Sequence, residues 1–564
     1  MKNPISDVVD DTVTHAGLDL AARRIAALLN LNGVEAGDRV LLFVPENIDF
    51  IRAFFGCLYT GAVAVPAPVP VNLKAVGDRS ASILRDAQPA AILCRRADVV
   101  DLNQWLSTQN NTTTRCIAIE DSLDVPGTAW AETRVSADMI AFLQYTSGST
   151  QEPKGVMVSH GNLVANLATI RQWLGADETT RTLSWLPLIH DMGLIGNVLG
   201  SAYWGGQLLL MPPTAFVRRP FQWLRHIDRF GAHVSGAPNF AYDWCVQRVT
   251  DEQIAELDLS RWELAFNGAE PVQARTVDAF SKRFAPAGFR GSSLGPCYGL
   301  AEATLFVSGT PGARGPMTET VDAEALAHGR FVAPDADDPN VSVLVSSGQI
   351  MGCETVVVDP VSRRTKDDGE VGEIWVRGAS VALGYWQRED LNAELFDAST
   401  AEGEGGFLRT GDLGVLRDGE LYVVGRIKDV MVIRGRNLYP QDLELASKAA
   451  DEDRCTGVGA VFTLSSTSED VVVVQEVRPP TLAGDGAVAA VEKIKDAIVR
   501  EHGIKPPSVV LVRPGAVLRT TSGKVRRSHM RDLFVRAELQ ALHEDLTDGA
   551  RSVRAGHPGR LVGA

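Results

Sequence analysis

The stretch Gln144-Tyr145-Thr146-Ser147-Gly148-Ser149-Thr150-Gln151-Glu152-Pro153-Lys154-Gly155 lies between two apolar runs, Met139-Ile140-Ala141-Phe142-Leu143 before it and Val156-Met157-Val158 after it. Each run reads as a buried strand, so the stretch itself is a hydroxyl-rich loop between strands. Thr146, Ser147, Ser149 and Thr150 supply aliphatic hydroxyls, Gly148 and Gly155 expose backbone N–H groups, and Lys154 adds a mobile positive charge. Together these groups suit a polyphosphate. Taken alone, the pattern is equally that of an ordinary Ser/Thr/Gly turn. It is not a Walker loop, because no Gly-Lys-Ser/Thr closes it and no helix-forming run begins there.

Outward from this loop the chain alternates. Apolar residues at helical spacing over 18–31 stop at Asn32-Gly33, a strand follows over 39–45, a helix over 48–60 and a strand over 62–65, with further strands at 90–94 and 116–119. Beyond the loop come a helix over 163–174, strands over 182–186 and 232–236, a helix over 221–230 and a long helix over 241–257. Helix alternating with apolar strand implies a parallel sheet covered on both faces. From Val341 the pattern changes to short β segments at 356–358, 373–376, 421–424 and 430–433, expected to form a small sheet or barrel closing the large domain. A second alternation follows, with helices over 443–450 and 489–502 and strands over 459–462, 471–474 and 509–512. The fold class is therefore α/β. A large N-terminal domain over 1–424, with alternating helix/strand subdomains and a small β subdomain, precedes a small α+β domain over 425–545. The Gly/Arg/Pro-rich residues 546–564 read as a disordered tail.

At 564 residues the chain is too long for one ordinary core, and 45% hydrophobic with 22% charged residues is the composition of a globular protein. A net charge of −15 argues against nucleic acid or an anionic membrane surface as the main partner, so an anionic ligand must be held by local geometry. The seven cysteines show no metal-ligand spacing and suit reduced thiols in a cytoplasmic enzyme. The N-terminus lacks a signal-peptide apolar core. The uncharged run over 194–211 carries Asn197, Ser201 and Gln207, which suit a buried helix and strand better than a membrane span.

Four more stretches follow in order: Pro296-Cys297-Tyr298-Gly299-Leu300-Ala301-Glu302, Arg409-Thr410-Gly411-Asp412-Leu413-Gly414, Gly425-Arg426-Ile427-Lys428-Asp429 and Thr520-Thr521-Ser522-Gly523-Lys524. With the hydroxyl-rich loop, they resemble the signature stretches of the adenylate-forming superfamily, which includes acyl-CoA synthetases, peptide-synthetase adenylation domains, luciferases and fatty acyl-AMP ligases. The resemblance implies ATP and Mg²⁺ as cofactors and assigns roles. Thr146, Ser147, Gly148, Ser149, Thr150 and Lys154 would hold the β- and γ-phosphates, and Glu302 the Mg²⁺. Tyr298 and Gly299 would pack at the adenine, Gly268-Ala269-Glu270 would line its edge, Asp412 would accept from the ribose hydroxyls, and Arg426 would stand near ribose and phosphate. Lys524 would bridge the incoming carboxylate and the α-phosphate, and Lys428 would be the hinge of the small domain. Read singly, Asp412 also fits a turn aspartate, Glu302 a helix cap, and Lys524 one more solvated cation beside Arg519, Arg526 and Arg527.

Within the superfamily, Gln151-Glu152 stands where CoA ligases usually show a glycine. Ser184-Trp185-Leu186-Pro187-Leu188-Ile189-His190-Asp191-Met192-Gly193 and Gly435-Arg436-Asn437-Leu438-Tyr439-Pro440 resemble fatty acyl-AMP ligases. That resemblance implies activation of a medium- or long-chain fatty acid as acyl-adenylate, then transfer to the phosphopantetheine thiol of a holo acyl carrier protein. It also implies an insertion near 328–348 that restrains the small domain and disfavours CoA. Pro238, Asn239, Phe240 and Tyr242 would wall the acyl tunnel, although a helix burying its core face would look the same. His190 reads either as a shield for the carboxylate end or as a core histidine. The rivals are an acyl-CoA ligase, an esterase using the Gly-x-Ser-x-Gly match Gly291-Ser292-Ser293-Leu294-Gly295, and an inactive carrier-binding module.

Overall fold

The structure, a computed structural model, describes residues 11–45, 47–70, 79–146, 153–312, 314–338, 340–465, 468–520 and 523–555. The first sheet of the large domain has the strand order Arg115–Ala118, Ala91–Cys94, Arg39–Phe43, Val63–Pro66, Ile140–Thr146, Lys154–Ser159. Every pair is parallel except the last, which is antiparallel. Alternation within one strand serves both faces. Val40 and Leu42 pack into the cluster built on helices His15–Leu31 and Ile48–Thr60, while Leu41 and Phe43 pack into the one built on Arg79–Ala87 and Val99–Thr108.

The second sheet runs Glu354–Val358, Gly372–Arg377, Leu408–Arg417, Glu420–Arg426, Gln349–Ile350, Phe306–Gly309, Leu294–Gly299, Leu264–Asn267, Val234–Ala237, Arg181–Ser184, Gln207–Leu210. Its last five strands are parallel. The β-rich segment is hydrogen-bonded onto their edge through Phe306–Gly309 and Gln349–Ile350, so it extends the same sheet. Behind the parallel part lies an aromatic core in which Trp223 and Trp262 both donate to Ser235, at its Oγ (2.8 Å) and its carbonyl (3.1 Å) respectively. These bonds satisfy the indole N–H groups that burial removes from water.

The small domain is a four-stranded sheet, Gly459–Thr463, Val471–Glu476, Ser508–Val512, Ala541–Asp545. One face carries Leu443, Ile494 and Ile498 from helices Pro440–Ala449 and Gly486–His502, and the other carries Met530 and Phe534 from Arg527–Val535.

The structure departs from the sequence reading at several places, among them the run 430–433, which does not join the large domain's β segment but pairs with Arg436–Leu438 and packs into the small-domain core. Residues 241–257 are not one helix: Asn239–Arg248 ends there, and Thr250 starts the short helix Asp251–Ile254 with a capping box to Gln253. Gly425 lies inside strand Glu420–Arg426, held by the pairing Asp412↔Arg426, so the chain leaves the large domain through Ile427–Asp429 rather than at 425. The supposed tail begins too early, because Asp548–Ala555 is a helix that buries Ala550 fully and ties Arg554 to Glu544 at 2.8 Å. The last nine positions fall outside the described residues. The segment near 328–348, whose ends the sequence leaves open, belongs to a unit that begins earlier in the chain. Its strand Val341–Val345 pairs with Thr318–Asp322, and helix Ala323–Ala327 intervenes. That unit reaches the small domain through Glu324–Arg436 (2.9 Å) and through the cluster of Val321, Leu326, Phe331 and Tyr439. No helix among the described residues is long and apolar enough to cross a membrane.

Candidate active site

A cavity of about 1730 Å³ opens between the two domains. It is larger than an ordinary small-molecule pocket, which is about 300–1,000 Å³. Thr146, Lys154, His190, Asn239, Phe240, Ala269, Glu270, Tyr298, Gly299, Glu302, Asp412, Arg426, Lys428 and Lys524 all line it. Residues separated by hundreds of positions in the chain are therefore brought to one space. Gly268, Pro238 and Tyr242 do not line it. Gly268 sits against Cys297, where a Cβ would meet Sγ at 2.7 Å. Tyr242 is fully buried behind the wall, donating to the Phe266 carbonyl at 2.7 Å, so it belongs to the aromatic core rather than an acyl surface. Asn239, although at the rim, spends its carboxamide on Thr276 and Gln273.

The hydroxyl-rich stretch leaves strand Ile140–Thr146 and returns at Lys154–Ser159 on adjacent positions, Thr146 pairing with Lys154 and Tyr145 with Gly155. Ser147, Gly148, Ser149 and Thr150 lie outside the described residues, as do Thr521 and Ser522. What holds the stems was not visible in the sequence. The Tyr145 hydroxyl donates to Asp86 (2.7 Å), Arg388 pairs with the other oxygen of that carboxylate (2.7 Å), and Arg79 donates to the Tyr145 carbonyl (3.0 Å). Arg79 and Asp86 are seven apart on helix Arg79–Ala87, hence on one face, and grip the same tyrosine at both ends. Gly155 packs tightly on the same ring, where a Cβ would lie 3.0 Å from Tyr145 and push it back by a few tenths of an ångström.

Lys154 Nζ stands 5.1 Å from the centre of the Tyr385 ring, and the Tyr385 hydroxyl donates to Glu302 Oε1 at 2.7 Å. Burial and the Glu302 charge push the Tyr385 phenol up, so it stays a donor. The backbone just beyond Glu302 is strained. Thr304 two residues on has φ +69 and ψ −61, closing Leu305 N–H onto the Ala303 carbonyl (2.8 Å). Ala269 likewise has φ +69. A β-branched residue at positive φ costs on the order of 1–3 kcal/mol, and such costs collect at functional sites.

Asp412 is buried, and both of its oxygens are engaged by the protein: Arg426 Nε at 2.8 Å and the Tyr298 hydroxyl at 2.9 Å. Each carboxylate oxygen has a second lone pair, so a diol can still be accepted. The Asp412 charge holds the Arg426 guanidinium above its ordinary range. Gly299 beside it is obligatory, because a Cβ would lie 1.7 Å from the Leu305 carbonyl.

Lys524 enters from the small domain on a tight turn in which Thr520 N–H donates to the Lys524 carbonyl (2.8 Å) and Lys524 N–H donates to Thr520 Oγ1 (3.1 Å). Burial and the Arg426 cation push its ammonium below the usual lysine range, against the pull of Asp191, Asp412 and Glu270. Asp191, passed over in the sequence reading, caps helix Met192–Leu199 by accepting Met192 N–H at 2.8 Å, and burial raises its carboxyl. Burial pushes Glu270 up to about 7. Lys428 sits in the turn Ile427–Asp429, and Asp429 and Glu444 both bind Arg527, so the connection is stiffened within the small domain. The far wall is apolar, with Ile170, Trp173, Val234, Phe266 and Phe306. Ser293 is buried and runs straight into strand Leu294–Gly299 rather than a helix, so the Gly-x-Ser-x-Gly match is not a nucleophile elbow.

His190 is pushed down to about 4 by burial and by the Arg79 and Lys524 cations, so its imidazole is neutral at pH 7. A base whose folded value is lowered contributes stability above its ordinary 6.5, and that contribution is lost as pH falls toward 4. His190→Asn is expected to show a shallower fall in melting temperature across that window than the parent. Identical acid slopes would place the effect elsewhere.

A family profile described as AMP-binding enzyme matches residues 4–386. Among curated proteins, the chain is 40% identical over 94% of its length to a medium-chain-fatty-acid–[acyl-carrier-protein] ligase, JamA, of Moorena producens, covering 91% of that protein. It is 38% identical over 95% of its length to the long-chain-fatty-acid–AMP ligase FadD32 of Mycolicibacterium smegmatis, also covering 91%. Among solved structures, a fatty acyl-adenylate ligase from a study of the E. coli and L. pneumophila proteins superposes with a TM-score of 0.85 at 33% identity, covering 94% of both chains. The L. pneumophila ligase in complex with acyl adenylate and pyrophosphate gives 0.73 at 36% identity, over 96% of this chain and 94% of that one. With the profile spanning well over half of the sequence and relatives aligned almost end to end, this chain belongs to the AMP-binding enzyme family.

Proposed function

We propose that the protein is a fatty acyl-AMP ligase. A fatty acid carboxylate attacks the α-phosphorus of ATP, an O–P bond forms, the bond to the β-phosphate oxygen breaks, and pyrophosphate leaves. The thiol of a holo acyl carrier protein's phosphopantetheine arm then attacks the acyl carbonyl, and AMP departs. The observation that carries this reading is Lys524 of the small domain facing Asp412, Arg426, Glu302 and the Thr146/Lys154 stems across one cavity with an apolar far wall. In-line transfer at phosphorus needs little covalent help, so charge placed where it develops is the main contribution. Lys524 would neutralise charge between carboxylate and α-phosphate, and Lys154 would face the leaving pyrophosphate. Asp412 and Tyr298 would orient the nucleoside, and Lys428 would act as the hinge.

Glu302 fits a magnesium site. The ion takes hard oxygen donors and is commonly held by one or two carboxylates together with phosphate oxygens and water. Bound there, it supplies charge neutralisation of the phosphates, while Tyr385 fixes the carboxylate that would hold it. A cytoplasmic setting is part of the proposal, and it is supported by seven cysteines that are all free.

Purified protein given a series of straight-chain acids and Mg-ATP is expected to release pyrophosphate. It is further expected to load holo acyl carrier protein in preference to CoA. Acyl-CoA appearing as fast as pyrophosphate would convert the reading to an acyl-CoA ligase.

A further inference from the structure

Phe240 is the point at which the acyl wall meets the small domain. On one side its ring is 6.3 Å from Trp185 and 6.4 Å from Phe216, which stack on each other at 4.0 Å. On the other side it abuts Gly523: a Cβ built there would lie 2.7 Å from Phe240 Cε1. Gly523 has φ +91, a conformation that favours glycine, and directly precedes Lys524 in its tight turn. With no side chain between them, a displacement of the ring is felt by backbone one residue from the lysine. The root of Phe240 is fixed as well, since its N–H donates to Glu270 Oε1 at 2.5 Å. The Glu270 carboxyl lies within the influence of both Lys524 and Arg519 on that same turn. The ring itself is only half-buried and faces the cavity beside Met192 and Phe266.

We propose that Phe240 is a positioning residue for Lys524: an alkyl chain lying along the cavity wall fixes the ring against which Gly523 seats, so that filling the acyl site sets the lysine. This rests on the acyl-adenylating reading above. An aromatic side chain has few staggered orientations, and a bound chain packed on its open face selects one of them. The energy of acyl binding is thereby spent on assembling the site as well as on holding the acid.

Two readouts on the full chain test this: acid-dependent pyrophosphate release with Mg-ATP, and hydrogen exchange of the peptide carrying Lys524 in the presence of an alkyl-sulfamoyl adenosine or AMP alone. Phe240→Ala is expected to lower kcat at saturating acid by roughly tenfold with the KM for ATP within about twofold, and to erase the extra protection that the alkyl compound gives the parent. Gly523→Ala is expected to lose roughly 100-fold in kcat, and adding Phe240→Ala to recover roughly threefold of it, because the clash is relieved while the φ strain and the loss of the ring stay. Phe240→Leu, which keeps apolar bulk, should fall between the parent and Phe240→Ala, and serves if the alanine variant does not fold. The proposal is overturned by a Phe240→Ala protein in which only the KM for acid rises, or by a double variant no faster than Gly523→Ala. Absence of pyrophosphate release from the parent with every acid sinks the functional reading instead, and exchange with the sulfamoyl compound still decides the role of Phe240.

Discussion

Lys524→Ala is expected to lower kcat for pyrophosphate release by about 10²–10³, the loss typical of removing one group that stabilises developing charge. The ground-state contribution should be small. The lysine already faces Arg426 and is pushed below its usual range, so its cation is poorly compensated until negative charge accumulates between carboxylate and α-phosphate. KM for ATP should therefore move only a few-fold. Supplying synthetic acyl-adenylate separates the two half-reactions, and the alanine variant should still pass the acyl group to a carrier thiol at nearly the parent rate. If pyrophosphate release persists unchanged, the role assigned to the lysine is wrong.

Asp412→Asn should act on nucleotide capture instead. The substitution keeps the shape of the side chain but replaces one of two charged acceptor oxygens by an amide donor, next to an arginine and a tyrosine hydroxyl that both donate toward it. Arg426 loses its nearest counter-charge, and under the proposed role one ribose hydroxyl would lack an acceptor. Because the Arg426 side chain is 41% exposed, solvent screens the pair and little of the cost should appear as lost stability. It should appear as a fall of about 100-fold in kcat/KM for ATP, or about 2.7 kcal/mol at 1.36 kcal/mol per decade. Binding of ATP followed by calorimetry or by competition with a fluorescent nucleotide would check it. A variant that melts far lower yet binds ATP normally would make Asp412 a structural brace only.

Much of this architecture could be read from the chain because its devices are local. Apolar runs spaced by helix-periodic segments announce the parallel strands of the first sheet and Arg181–Ser184, Gln207–Leu210 and Val234–Ala237 of the second, whereas Leu264–Asn267 and Leu294–Gly299 of that second sheet escape the pattern. The ordered stretches around Glu302, Asp412, Arg426 and Lys524 name residues that do meet in one cavity. What escaped the reading depends on distance along the chain or on packing. Asp86 meets Tyr145 across 59 residues and Arg388 across 302, and nothing in the local pattern of any of them announces the others. Tyr385 is similar: its importance lies in touching Glu302, 83 positions away. The helix expected over 241–257 failed because Ile254 and Leu257 continue the apolar spacing while Thr250 quietly caps a new start. Tyr242 was placed on the tunnel because an aromatic suits an alkyl chain, yet the carbonyl of Phe266 draws its hydroxyl the other way. The helix within the supposed tail escapes the pattern because it is short, with only Ala550, Val553 and Ala555 apolar among charged and small residues; Ala550 is fully buried and Arg554 pairs with Glu544.

The rung that pairs Thr146 with Lys154 has a further implication for how such a site can change. Among the described residues, the departure and re-entry of the intervening stretch are held by a tyrosine, an aspartate and two arginines of the flanking scaffold. A change at any of those four residues therefore moves the points where the stretch leaves and rejoins the sheet, as resetting a wrist carries the glove with it.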